Sequence, residues 1–261
     1  MTGAAIFVYH DFVDDPHAPA RVSQPYTLSQ ALFAAHMSAL DAPELRPSRL
    51  VEALADPSAG RFVLTFDDGH MTDYTVAFPR LRERDWPACF FVVAGQIGAP
   101  RFLGWRELCE MAAAGMEIGS HSLTHPFLDR ASPAEIRREF GQSKRMLEDR
   151  LGQPVMFASL PRGSAAPGMG ALLRELGYRA FCTSEPGLVR RDVDPFALPR
   201  IAVKQRTSAA FLRSIVAGRP LTLAALRSSH AVKTVGKSLV GPERWRRVRG
   251  VLTAAVERVR S

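Results

Sequence analysis

Two adjacent carboxylates, Asp67 and Asp68, and two histidines four apart, His121 and His125, are the residues whose types and spacing best fit chemistry. The aspartates follow the apolar run Arg61 to Phe66 and are closed by Gly69, which places them between a buried strand and a tight turn. Neighbouring strand residues point to opposite faces, but both can approach one site where a strand bends into a loop. The histidines follow Gly119-Ser120, and on a helical turn i and i+4 share a face and can meet one ion. One carboxylate and two imidazoles give three ligands to a divalent metal and leave positions for water and substrate oxygens. The second carboxylate can then take a proton from water. Zinc fits this set, as do cobalt, nickel and iron. A turn or a helix cap is the bland alternative for the aspartates, and packed or surface histidines for the pair.

A hydrolase also needs an acid for its leaving group. His10 ends the first strand and is the best placed candidate, with His70 its main competitor. His230 falls in a helical tail, and His17 and His36 read as loop and helix-face residues. Arg162 and Arg200 each follow an apolar strand, and either could pair with Asp67 and hold it ionised. Asp192 and Asp194 could orient a histidine or an arginine from behind.

The elements that position these residues alternate. Strands are expected over Ala5–Tyr9, Arg61–Phe66, Ala88–Val93, Met116–Gly119, Val155–Leu160, Tyr178–Thr183 and Leu198–Val203. Helices are expected from a Thr27 or Ser29 cap to Leu40, over Thr72–Asp85 with an interruption at Pro79, over Gly104–Ala114, from Ser132 to Leu151, and over Ala166–Leu176. Phe12 to Tyr26 reads as a loop. Each polar cluster follows a strand, which is the layout of an α/β barrel with its site at the carboxyl ends of the strands. A doubly wound open sheet is the rival.

Size and composition agree with one barrel. The chain has 261 residues, is 46% hydrophobic, and carries 19 glycines and 19 prolines. Cys89, Cys109 and Cys182 are far apart and give no disulfide framework, which reads as a reducing compartment. The start is too short in apolar residues for a signal peptide, and no apolar run is long enough to cross a bilayer. A cytoplasmic protein is therefore expected. Net charge is +8, and the last 31 residues alone contribute +6. We divide the chain into a barrel over 1–207 and a basic helical tail over 208–261, packed on the barrel. Within the tail, Trp245, Val248, Leu252 and Val259 recur at helical spacing among arginines, so Pro242–Arg260 could instead lie peripherally on the anionic inner membrane face. No recognition helix or aromatic-basic interleaving supports nucleic-acid binding. Nothing in the sequence fixes the oligomeric state.

With these residues assembled, the chain resembles the polysaccharide deacetylase family, the NodB-homology fold of carbohydrate esterase family 4. Thr65-Phe66-Asp67-Asp68-Gly69 matches its first motif and His121-Ser122-Leu123-Thr124-His125-Pro126 its second. The resemblance implies a distorted (β/α)7 barrel. It implies Asp67 as general base and Asp68, His121 and His125 as ligands of a metal, usually zinc. It implies attack by metal-bound water on an N-acetyl, less often an O-acetyl, group of a saccharide or glycan. The metal and a backbone N–H would steady the oxyanion, with Tyr74 or the backbone after His70 as candidate donors.

The third motif departs from the family pattern: Leu160-Pro161-Arg162-Gly163 puts arginine where an aromatic groove wall is usual, which points to an anionic or otherwise unusual sugar. The late histidine of the fifth motif is absent. Tyr9-His10, Pro25 to Ser29 and Leu198-Pro199-Arg200-Ile201 are instead similar to the poly-N-acetylglucosamine deacetylase subset, which implies His10 as the acid. The rival functions are a metal-dependent amidase acting on a small N-acetyl metabolite, and a carbohydrate-binding relative without catalysis. The intact Asp67 argues against the second, because binding needs no spare base.

Overall fold

The computed structural model describes residues 3–13, 25–163 and 165–219. His17, His230 and the segment 242–260 lie outside the described residues.

The chain opens with β1 (Ala5–Tyr9) and a small parallel pair, β2 (Asp11–Phe12) with β3 (Thr27–Leu28). Helix α1 (Gln30–Leu40), β4 (Arg46–Pro47) and α2 (Leu50–Ala55) lead to β5 (Arg61–Asp68). Then α3 (Phe78–Arg82), β6 (Cys89–Val92), α4 (Trp105–Ala113), β7 (Glu117–Ser120), α5 (Pro133–Leu151), β8 (Phe157–Ser159), α6 (Met169–Glu175) and β9 (Ala180–Cys182) alternate. The described chain ends with β10 (Ile201–Ala202) and α7 (Ala209–Val216).

The sheet runs β10-β1-β5-β6-β7-β8-β9, with β4 added beside β5. Every ladder in it is parallel. Its two edges approach through Leu198, which donates to the Phe181 carbonyl and accepts from the Thr183 N–H just before β10 begins. The sheet is thus curled into the distorted barrel expected from the sequence, rather than left open and doubly wound.

Alternation along the strands sorts two cores. Phe7, Tyr9, Phe62, Leu64, Phe66, Phe90 and Ile118 pack outward beneath the helices, against Phe33, Met37, Leu108 and Phe140. Ile6, Val63, Cys89, Phe91, Phe157, Ala180 and Cys182 fill the barrel, with Leu50 and Ala53 of α2 packed against them. A fully buried aliphatic or aromatic side chain contributes about 1.5–3 kcal/mol, so these two layers dominate the stability of the fold.

Local signals fix the helix ends. Ser29, not Thr27, caps α1 by accepting from the Leu32 N–H. Ser132 and Glu135 form a reciprocal capping box at α5, Pro133 occupies its first turn, and Gly152 ends it in a left-handed conformation at φ +67°. The expected helix over 72–85 is a π-turn (Asp73–Ala77) followed by α3. Pro79 has no N–H for the Thr75 carbonyl, so a regular α-turn cannot continue there. Two further expectations shift. The strand ending at Phe66 runs on through both aspartates, and β4 and α2 are additional, too short to show a period.

Helix α7, capped by Ser208, buries Leu212, Ile215 and Val216, and Arg213 pairs with Glu44 at 2.7 Å. His36 Nε2 meets the Thr207 carbonyl at 2.8 Å. Among the described residues no helix is long and apolar enough to cross a membrane.

Candidate active site

Strand parity gathers the polar residues at the carboxyl end of the barrel. Val63 faces inward, so Thr65 and Asp67 do too. The same count from Ile6 brings His10 inward and, from Phe157, Ser159. On β7, Ile118 packs outward, and Ser120 is hydrogen-bonded to Ser143 of α5 at 2.7 Å, which turns His121 inward. Arg200 precedes the outward Ile201 and is fully enclosed, its guanidinium 5.6 Å above the Phe91 ring.

Parity alone would point Asp68 toward the helices. Its backbone is left-handed at φ +80°, followed by Gly69 at +76°, and this twist returns the carboxylate to the mouth. A side chain at position 69 would also press on Val92, at 3.0 Å. Asp68 Oδ1 then lies 3.4 Å from His121 Nε2 and 3.3 Å from His125 Nε2. One ligand atom from each residue lies within 4.8 Å of the others, the arrangement needed to hold a metal ion.

The helical turn expected for His121 to His125 is not formed. The segment is a loop in which Ser122 and His125 are both left-handed, at φ +68° and +58°. Two anchors shape it. Ser122 Oγ accepts from the His125 N–H at 2.9 Å. The buried Glu139 of α5 accepts from the Leu123 and Thr124 N–H groups at 3.2 and 2.8 Å and from the Thr124 hydroxyl at 3.1 Å. Sequence reasoning missed Glu139, although it sits on the apolar stripe of its helix among Ile136, Phe140 and Ser143, where a carboxylate needs a reason.

Asp67 is held by a fork. Arg200 Nη1 and Nη2 donate to its two oxygens at 2.7 Å each. Burial alone would push the Asp67 carboxyl up, but the Arg200 charge, with His121, outweighs it and keeps the group below the usual carboxylate range. Ser159 Oγ lies 2.5 Å from His121 Nδ1 and donates to Asp67 Oδ1 at 3.4 Å. A carboxylate only accepts, so the serine proton goes to Asp67 and His121 Nδ1 carries its own proton. That tautomer leaves the Nε2 lone pair facing Asp68, as a metal ligand requires. Burial also opposes ionisation of Asp68, yet the neighbouring His121 and His70 imidazoles hold its carboxyl below the usual range. Burial and the nearby His121 lower His125 to about 4. The lowered His125 imidazole and the ionised Asp68 therefore suit a divalent cation at neutral pH. Four of the six non-glycine residues with positive φ among the described residues are Asp68, Ser122, His125 and Arg162, so backbone strain concentrates at this mouth.

The remaining expected residues separate. His10 reaches the centre: its ring is 4.7 Å from Tyr26, and its Nδ1 is buried with no hydrogen-bond partner among the described residues. Burial lowers its pKa, against the pull of Asp67 and Asp68. His70 Nε2 lies 3.6 Å from Asp68 Oδ2 and its ring stacks on Phe102. Arg162 does not meet Asp67. It is exposed, donates to the His125 carbonyl at 3.0 Å and covers the Phe127 ring, because β8 turns sharply after Pro161. Asp192 is exposed beside Arg190, and Asp194 caps the turn Pro195–Ala197, so neither backs the site. Tyr74 is turned away to Glu110, and the Met71 N–H is taken by the Arg101 carbonyl.

A curled parallel barrel with this constellation at the carboxyl ends of its strands defines an α/β-barrel enzyme scaffold with a candidate metal centre. The family model for polysaccharide deacetylase matches residues 55–181, just under half of the chain. YxkH of Bacillus subtilis (strain 168) is 31% identical over 147 residues, 56% of this chain and 53% of its own length. The chain thus spans about half of that relative. Poly-beta-1,6-N-acetyl-D-glucosamine N-deacetylase of Staphylococcus aureus is 24% identical over 197 residues, 68% of each. The solved structure of the Streptococcus pyogenes deacetylase PplD in complex with acetate shares the fold with a TM-score of 0.73 at 24% identity, covering 80% of this chain and 96% of that one.

Proposed function

We propose that this chain removes an N-acetyl group from an amino-sugar glycan with the help of one divalent metal. The carrying observation is the meeting of Asp68, His121 and His125 beside an Asp67 held ionised by two 2.7 Å bonds from Arg200. A cation bound by the three ligands would supply a Lewis acid that polarises the acetyl carbonyl and acidifies water. Asp67 takes the proton of the attacking water, and Arg200 fixes both its oxygens so that no rotation is needed. His10 supplies a proton to the departing sugar nitrogen. It must hold that proton beforehand as the imidazolium, a form that the Asp67 and Asp68 carboxylates favour and burial opposes. Ser159 and Glu139, both buried, orient the ligands from behind. The Staphylococcus aureus relative, named for poly-beta-1,6-N-acetyl-D-glucosamine, supports glycan over small metabolite.

The test is acetate release from N-acetylglucosamine oligomers by protein stripped of metal and then reloaded with zinc or cobalt. Release that depends on metal is expected. Release without metal overturns the metal role, and none under any loading overturns this substrate class.

A further inference from the structure

We propose that Arg162 and Phe127 form an anion-reading lip, and that the glycan bound here carries a carboxylate or phosphate next to the acetylated sugar. This rests on the deacetylase reading above. Phe127 is the most exposed large apolar side chain among the described residues, at 59%, and stands two residues after the candidate ligand His125. The Arg162 guanidinium lies 4.5 Å over its ring, and Nε donates to the His125 carbonyl. The arginine is therefore held at the rim of the centre from two directions.

Its charge is unanswered. Arg200 has Asp67, and Arg101 has Asp11 at 3.7 Å, whereas no carboxylate among the described residues pairs with Arg162. With Nε engaged, the paired Nη groups form the free edge of the fork, which matches two oxygens of a carboxylate or phosphate. Stacking on Phe127 removes much of the freedom that a long side chain otherwise loses on binding. A neutral sugar would leave this edge to water. On the β1 side of the centre, Lys204 lies over the ring of Tyr26, which in turn contacts His10, so a second cation borders the same mouth.

The experiment compares three ligands of equal length with the full chain: neutral N-acetylglucosamine oligomers, oligomers alternating with a uronic acid, and oligomers bearing a sugar phosphate. Binding is read by calorimetry and turnover by acetate release. Wild type should bind one anionic ligand at least about tenfold more tightly than the neutral one. Arg162→Gln should erase that preference, the anionic ligand losing far more than the neutral one, and Phe127→Ala should likewise weaken the anionic ligand more than the neutral one. The arm that loses most identifies the oxyacid. Equal binding of all three by wild type, an equal loss on all three in Arg162→Gln, or no binding of any arm overturns the lip. Turnover of neutral oligomers without any preference overturns the lip and keeps the deacetylase reading. Arg162-dependent binding with no acetate from any arm keeps the lip and overturns that reading.

Discussion

Asp67 carries two burdens, one chemical and one structural. Asp67→Asn removes the proposed proton acceptor and also leaves Arg200 charged in a buried setting. Turnover should be abolished while Asp68, His121 and His125 still bind zinc, and denaturant unfolding should show a loss of about 3–5 kcal/mol. Loss of zinc in a folded variant would instead make Asp67 a ligand. The two candidate acids separate by what they touch. His10→Ala should lower turnover about 10²–10⁴-fold with metal affinity retained. His70→Ala should act mainly on metal affinity, because His70 leans on Asp68. A reversed pattern in metal titration and turnover would exchange their roles.

The elements around the site are tuned to place two loops. Glu139 projects from α5 into the histidine loop and satisfies two backbone N–H groups that would otherwise be stranded. Glu139→Ala should therefore weaken metal binding about 10–100-fold in a calorimetric titration, although no ligand is changed. A variant with unaltered affinity would show that the loop is held elsewhere. On β7, Gly119 is needed for space, since a Cβ there would come within 2.5 Å of the Phe91 ring and 3.0 Å of the Phe157 carbonyl. Gly119→Ala should lose about 1–3 kcal/mol in denaturant unfolding. Full stability would mean that Phe91 has room to swing aside.

Across the whole molecule, Arg200 ties the approach to β10 to β5 over a separation of 133 residues. Protonation tests such ties. His125 is lowered to about 4 from an ordinary 6.5, so the native state binds fewer protons than the unfolded chain between those values. Its contribution to stability is complete above about 6.5 and disappears as pH falls toward 4. Asp67 and Asp68, both held below the ordinary 3.8, keep their contribution down to that value and lose it at still lower pH. Denaturant midpoints measured on metal-free protein should fall from pH 7 to pH 4, and less so in His125→Gln. A flat profile in this window would contradict the burial assigned to His125.

Much of this was legible in one dimension because the signals are short-range. The apolar alternation of β5, the Ser132 cap, the Gly152 stop and the motifs around Asp67 and His121 depend on neighbours a few residues away. They located the strands, the barrel and the three candidate ligands. Only the tertiary structure could choose between Arg162 and Arg200. Both follow apolar strands, and the choice depends on how the sheet curls until Arg200 faces Asp67. It also replaced the helical turn at His121 with a loop, since Glu139 on another element offers those N–H groups a better acceptor than their own chain. Asp68 reaches its partners through a left-handed backbone that alternation cannot foresee. Residue type and periodicity determined which side chains were available for chemistry, and closure of the barrel decided which of them meet.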